Sequence, residues 1–491
     1  MMAGTETLGE GIPKSLQRNL SLDGAMTRAL EGLTGGAVLA GLLLALGAGD
    51  AAIGLAAAVP FLAQAAQIPA LSLAFRVRTR RMICLGASAI SRILLALGGI
   101  LSVVLPHGVG LVVLIVFLSL SSVAGAVGAF SWAYWMRDLV PADSYGTVFA
   151  KRFAWQSGVG LVATLAAGAF LTLGSAGNTS FAFLFIVGGA AGLVGLAFIA
   201  RLPDVPLNPA DGPETPVELF RRAVGTSERA PLAFAALWGL GAMMAVPFVP
   251  IFLLADLHAP FITVAILAAG SVLAALVTAP AWGRLTDRVG CKPVLAFASL
   301  TSGLAILGLV LVEDTRTSSL VVLAGVHIVM GASLAAVEIS LGKLIARAAP
   351  FNRAGGFLAV AGMARALGSG LGVLVAGLVA GLASVSSLAF VVQWTGAGGV
   401  DTLGTIRVGH FDFVFVLSAL LMLYATHRVL GLDEPEVRGH VNMIRELHVE
   451  LSGLSPFRGA RSIGRFAHHA GRLIRERRHF VPWSNPPRPP P

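Results

Sequence analysis

The sequence predicts an all-α polytopic membrane protein, with twelve transmembrane helices in two pseudo-repeated six-helix bundles. Three observations predict it. The chain of 491 residues is 56% hydrophobic and only 12% charged, with a mean hydropathy of +0.82, whereas charge occupies about a quarter of a soluble domain. Apolar runs of about 20 residues, enough to cross a bilayer, recur from residue 21 to residue 430. The basic residues also alternate. Nineteen fall in the amino terminus and the loops after even-numbered helices, against Arg316 and Arg407 alone in the opposite loops. This places both termini in the cytosol by the positive-inside rule and explains the formal charge of +10 without a nucleic-acid partner.

The predicted helices follow in order. Residues 1–20 form a cytosolic segment with Glu6, Glu10, Lys14 and Arg18 and no small-residue cleavage site, so helix 1 (21–46) is expected to serve as its own insertion signal. Helix 2 (50–73) carries Gln64 and Gln67, which suit hydrogen bonds between helices. Helices 3 (82–105) and 4 (109–136) precede helices 5 (153–174) and 6 (180–201). Trp132, Tyr134, Trp135 and Trp155 gather where helix 4 meets helix 5, as an interfacial aromatic belt would. The first bundle is thus 21–201. Residues 202–231, with Pro203, Pro206, Pro209, Pro213 and Pro216 and mixed charge, read as a cytosolic linker between domains. Helix 7 (232–254) holds Trp238, Met243, Met244, Pro247 and Pro250, which make it bulky and easily bent. Helices 8 (261–282), 9 (293–312), 10 (318–342), 11 (356–381) and 12 (411–430) complete the second bundle, 232–430. A basic tail, 431–491, follows.

An internal repeat supports two halves. Ser157-Gly158-Val159-Gly160 in helix 5 recurs as Ser369-Gly370-Leu371-Gly372 in helix 11, and at a similar shift Pro141 maps onto Pro350. Cys84 and Cys291 lie near cytosolic loops, have no ligand-like spacing and read as unpaired thiols. Neither a metal site nor a cofactor is expected.

The most specific stretch is Trp282–Pro293, WGRLTDRVGCKP, read as a hairpin between helices 8 and 9. Gly283 and Gly290 permit conformations and close contacts that a side chain would block. Asp287 is expected to accept hydrogen bonds from the free amides that open helix 9, while Arg284, Arg288 and Lys292 suit the cytosolic face. The order Gly283, Asp287-Arg288, Gly290, Lys292 resembles the loop signature of the major facilitator superfamily, the secondary transporters. The repeat extends the resemblance over residues 21–430. It implies two bundles around a central cavity lined by helices 1, 4, 7 and 10, and a cytosolic gate in which Asp287 holds the turn against a neighbouring helix in one state only. A topogenic turn without switching is the alternative. The first-half loop, FRVRTRRM, departs from the signature, with Phe75 where the acid would fall. The membrane-embedded arginine of helix 4 and the Gly-Pro pair of helix 5 that mark proton-driven drug antiporters are missing, which weakens drug efflux.

An ionisable group at membrane depth costs roughly 3 kcal/mol on insertion scales, so each one needs a reason. In helix 1, Asp23, Thr27 and Glu31 recur every fourth residue on one face, with Arg28 beside them. Glu31 is the leading proton-coupling candidate, and a local Arg28–Glu31 pair is the alternative. Asp23 reads as a helix-start residue in the headgroup region. Arg92 in helix 3 suits either an anionic solute or a structural pair with helix 1, for which Glu31 is the candidate partner. His327 in helix 10 suits proton coupling, or a neutral imidazole bonded across a helix contact. Arg365 in helix 11 is an anion contact or the partner of Glu338.

From Leu451 onward eight arginines stand against Glu476 alone, so Arg458–Arg478 reads as a basic helix on anionic lipid, before a short polyproline end. The expected function is secondary active transport of a small solute by alternating access, coupled to a proton, by a monomer in the bilayer. The alternatives are a transporter-like scaffold or sensor acting through the tail, and a membrane-embedded transferase. No Walker loop, His-Glu-x-x-His or His-x4-Asp motif supports an enzyme. Sparse charge favours an uncharged, monoanionic or amphipathic solute. Four lysines among 35 basic residues, with abundant Ala and Gly, resemble a GC-rich bacterium and so an inner-membrane protein.

Overall fold

Lipid offers a backbone amide no hydrogen-bond partner, so apolar sequence of this length must become helix. The computed structural model describes residues 7–8, 12–67, 79–174, 177–205, 229–312, 317–348, 354–396, 399–429, 431–432 and 434. The loop carrying Arg76, most of the linker and the basic tail from residue 435 onward lie outside the described residues. Eleven described helices are long and apolar enough to cross a membrane, and Asp50–Ala66 is a shorter apolar helix in the place of helix 2. The chain is therefore a multi-pass membrane protein with the two-bundle fold its sequence predicts.

Several boundaries differ from the apolar windows, because a helix continues through polar turns beyond the hydrocarbon. Helix 1 begins at Lys14 rather than 21 and runs to Thr34, then resumes over Gly36–Ala45. Its added turns bury Leu16 and Leu20 against Trp135, Met136 and Val148. The break follows from Gly35 and Gly36, the latter at φ +52°, where a side chain would be strained. Helices 3 and 4 are Arg80–Val104 and His107–Leu139. Helix 5, Ala142–Leu173, starts eleven residues early, helix 6 is Asn178–Ile199, and helix 10, Thr317–Ala348, ends six residues late. Helix 7 is Arg229–Ala245, a 3-10 turn at Val246–Phe248, then Val249–Ala255, so Pro247 and Pro250 sit where it changes course.

Two departures are larger. Helix 8 is Phe261–Val289 and helix 9 starts at Cys291, so the signature residues Gly283–Arg288 are the last turns of a helix and the hairpin reduces to Gly290. Gly290 has φ +94°, which explains its glycine. A Cβ at Gly283 would meet no atom within 4 Å, so close contact does not explain that one. Between helix 11 (Ala354–Ala383) and helix 12 (Phe411–Val429), where no element was expected, Ser387–Gly396 pairs antiparallel with Gly399–Gly409. Trp135, assigned above to an interfacial belt, is fully buried and donates its Nε1–H to Pro203 O at 3.1 Å. Gln64 bonds Pro60 O of its own helix, and Gln67 bonds Gln64, so neither links helices in this way. Cys84 and Cys291 are free and buried, as expected.

The halves meet mainly at the helix ends that face away from the linker. Helix 2 crosses helix 11 so closely that a Cβ on Gly54 would lie 2.7 Å from Gly377 Cα. Helix 5 meets the start of helix 8, where a Cβ on Gly168 would stand 3.0 Å from Phe261 O and Ile262 N donates to Thr172 Oγ1 at 2.9 Å. Phe181 of helix 6 packs edge-on against Phe261 of helix 8, with centroids 6.2 Å apart. Small residues at these crossings let backbones approach, which is how helices associate where apolar burial against lipid gains little.

Candidate functional site

Charge at membrane depth falls into two kinds here. The first is sealed inside the first half. Asp23, expected near the headgroups, is buried, and Arg152 Nη1 stands 2.8 Å from its Oδ2. Arg92 Nη2 approaches Asp23 Oδ1 at 3.6 Å and donates to Thr27 Oγ1 at 3.1 Å, while Arg92 Nη1 donates to Gly192 O. Arg152 also donates to Leu20 O at 2.5 Å and lies 4.6 Å over the Trp132 ring. Arg92 therefore pairs with helix 1 as one reading held, but through Asp23 rather than Glu31. The predicted helix 5 begins at 153, which leaves Arg152 just outside it, whereas the helix in fact starts at Ala142. His327 is equally enclosed: its Nδ1 lies 2.8 Å from Leu323 O one turn back, not across a helix contact.

The second kind is open. Arg28 Nη1 and Glu31 Oε2 are 2.6 Å apart, with the two side chains 51% and 53% exposed. Arg365 Nη2 and Glu338 Oε1 are 2.6 Å apart between helices 11 and 10, at 36% and 44% exposure. Glu31 sits near the middle of the helix 1 span, Lys14–Ala45. An ion pair facing lipid at that depth would be costly, so such exposure is tolerated where water reaches it. Each half offers one such pair. Arg365 and Arg152 also stand within one residue of the repeat offset, so the repeat places an arginine alike in helices 5 and 11 and gives it different partners.

On the linker side, Asp287 does not cap helix 9. Its Oδ1 pairs with Lys343 Nζ of helix 10, and its side chain is 69% exposed. The cap comes from Glu434, beyond helix 12, whose Oε1 accepts from Cys291 N at 2.8 Å and whose Oε2 accepts from Lys292 N at 2.9 Å. Arg347 Nη1 stands 3.5 Å from the same carboxylate. Nothing near Glu434 in the sequence marks this role, which is set by how helix 12 ends beside helix 9. Arg288 is exposed beside Asp287. In the first half, Arg80, at the start of helix 3, donates to Asp138 Oδ2 of helix 4 at 2.5 Å and to Tyr134 O at 2.9 Å.

On the opposite face, three residues unremarked in the sequence come together. His410 Nε2 lies 3.2 Å from Asp50 Oδ2 of helix 2, and its Nδ1 lies 3.3 Å from Asp256 Oδ1, just past helix 7. No sequence periodicity links positions so far apart. Among the described residues no group of three or more His, Cys, Asp or Glu has a geometry that could hold a metal ion.

A family model described as Major Facilitator Superfamily matches residues 231–463. No curated protein matches the chain by sequence. Among solved structures, the nucleoside transporter NupG is 17% identical with a TM-score of 0.63, over 86% of this chain and 100% of that one. A POT family transporter in complex with 5-aminolevulinic acid is 13% identical with a TM-score of 0.65, over 87% and 97%. The D-xylose-proton symporter is 13% identical with a TM-score of 0.63, over 87% and 99%. At such identities the likeness is one of fold.

Proposed function

We propose that this chain is a secondary transporter of the major facilitator superfamily, moving a small solute by alternating access, coupled to a proton; the family match over residues 231–463 and the likeness of fold support this. The observation that carries the reading is the pair of open ion pairs, Arg28–Glu31 and Arg365–Glu338, one in each half. Each pair is neutral overall, yet either partner can turn to a polar solute. This suits an uncharged, monoanionic or amphipathic substrate. Glu31 is the coupling carboxylate: protonation removes its charge and frees Arg28. Arg365 is the solute contact of the second half. Arg92 and His327 are occupied within their own halves and hold structure.

Orientation follows from the basic residues, with the linker face in the cytosol of a bacterium whose inner membrane holds the protein. The halves in this structure are then joined on the external side. The linker-side residues Gly283, Asp287, Arg288, Gly290 and Lys292 form the cytosolic gate, in which Asp287 holds helix 8 to Lys343 of helix 10 and exchanges that contact as the halves rock. The neighbours support this reading through their kind, since NupG, a POT family member and a proton symporter are all transporters. The test is flux in vesicles under an imposed pH gradient: Glu31→Gln should leave downhill exchange while abolishing accumulation. Equal gradient-driven accumulation by native chain and variant would remove Glu31 from the coupling role.

A further inference from the structure

His410 joins residues that belong to different halves. Asp50 opens helix 2 in the first half, whereas Asp256 and His410 flank helices 7 and 12 in the second. The imidazole thus bridges the two moving parts, with 3.2 Å and 3.3 Å to one carboxylate oxygen on each side. A neutral imidazole has one N–H and one lone pair, so it can donate to only one of them. The other carboxylate would then face a lone pair. Only the protonated ring donates to both, so this geometry suits an imidazolium between two carboxylates.

The backbone supports the same reading. His410 has φ +43°, a left-handed conformation rare for a residue with a side chain, and residues held this way cluster at ligand clamps and switches. The turn is fixed by Asp412 Oδ2, which accepts Gly409 N–H at 3.0 Å, and by the Phe411 ring, 3.8 Å from the imidazole centroid. The other titratable or charged groups around it are few. Asp412 belongs to that turn, and His258, exposed and also left-handed at φ +51°, faces Asp256 O at 3.2 Å from the helix 7–8 connection. Arg407 on the hairpin is exposed.

We propose that His410, between Asp50 and Asp256, is a proton-binding site that clasps the two halves together at the external face and lets them part when the proton leaves. The ligand is a proton from the external compartment, and its binding favours the closed external gate. The hydrogen bond to Asp256, with that to Asp50, raises the histidine pKa above its usual 6.5 despite partial burial. The sign follows: a raised pKa stabilises the clasped state fully below about pH 6.5, and that contribution disappears as pH rises through the higher value. This inference rests on alternating access for the motion that it controls, so its test reads a distance rather than flux.

Spin labels at Leu173→Cys and Val385→Cys, both exposed at external helix ends in opposite halves, would report separation in nanodiscs. Cys84→Ala and Cys291→Ala provide the background, and the range runs from about pH 5.5 to about pH 8.5, spanning histidine titration. The native chain should show the short distance at low pH and a growing long one above, the ratio changing by up to about tenfold per pH unit for one proton. His410→Gln should flatten that response, and Asp256→Asn, which keeps the ring, should move its midpoint down. An unchanged response in both variants, or a native ratio of two distances indifferent to pH, would overturn the clasp and leave alternating access standing. A single distance under every condition would instead count against alternating access itself.

Discussion

Arg152 of helix 5 holds Asp23 of helix 1 at 2.8 Å, and Arg92 of helix 3 closes on the same carboxylate from the other side. One acid therefore balances two bases, all three almost withdrawn from water at 3%, 9% and 10% side-chain exposure. Removing the acid leaves two buried cations without their counter-charge, a change that costs about 3–5 kcal/mol in such settings. Asp23→Asn should lower the thermal midpoint markedly. Arg28→Gln, whose partner is half exposed, should barely move it. Equal effects from the two would mean that the cluster is not what holds helices 1, 3 and 5.

Glu434 predicts a sharp boundary for truncation. Ending the chain after 435 keeps the carboxylate on Cys291 N and Lys292 N, whereas ending it after 432 removes the cap. Lost caps cost about 1–2 kcal/mol. The shorter chain, and Glu434→Ala in the full chain, should melt lower than the longer truncation. If all melt alike, the cap is not stabilising helix 9.

Gly54 and Gly377 bring the backbones of the two halves close together. Gly54→Val would drive methyl groups into the helix 11 backbone. Under the proposed alternating access this contact would part as the external side opens, so the variant should favour the externally open state, read as faster labelling of a cysteine placed at Gly49. Unchanged labelling would show that helix 11 yields without the halves parting.

Asp287→Asn should separate gating from stability. The Asp287 side chain is largely exposed and pairs with Lys343 of helix 10, so folding should tolerate the change while solute flux slows. A native-like flux would assign the signature to topology, the alternative reading of that turn.

The fold was legible because bilayer length, the side-to-side alternation of basic residues and a repeat near 212 positions all act locally or along the whole chain. Helix ends were less so. A hydropathy window stops at the hydrocarbon edge, while helix 1 continues back to Lys14 because Leu16 and Leu20 still find a buried surface. The Arg28–Glu31 and Glu338–Arg365 pairs could be read from spacing, or as an alternative already open. Asp23–Arg152 and Asp50–His410–Asp256 could not, since they depend on which helices touch. Asp287 shows the commonest confusion: its sequence neighbours suggested a cap, but a helix running on to Val289 turns it toward helix 10 instead.

The central claim is that Glu31 couples solute movement to a proton. The most direct measurement is uptake and efflux of a panel of radiolabelled small solutes in vesicles with an imposed pH gradient, comparing the native chain with Glu31→Gln. The account predicts gradient-driven accumulation of at least one uncharged or monoanionic solute by the native chain, and only downhill exchange of that solute by the variant. Folded, correctly inserted native chain that moves no solute in either direction would contradict it.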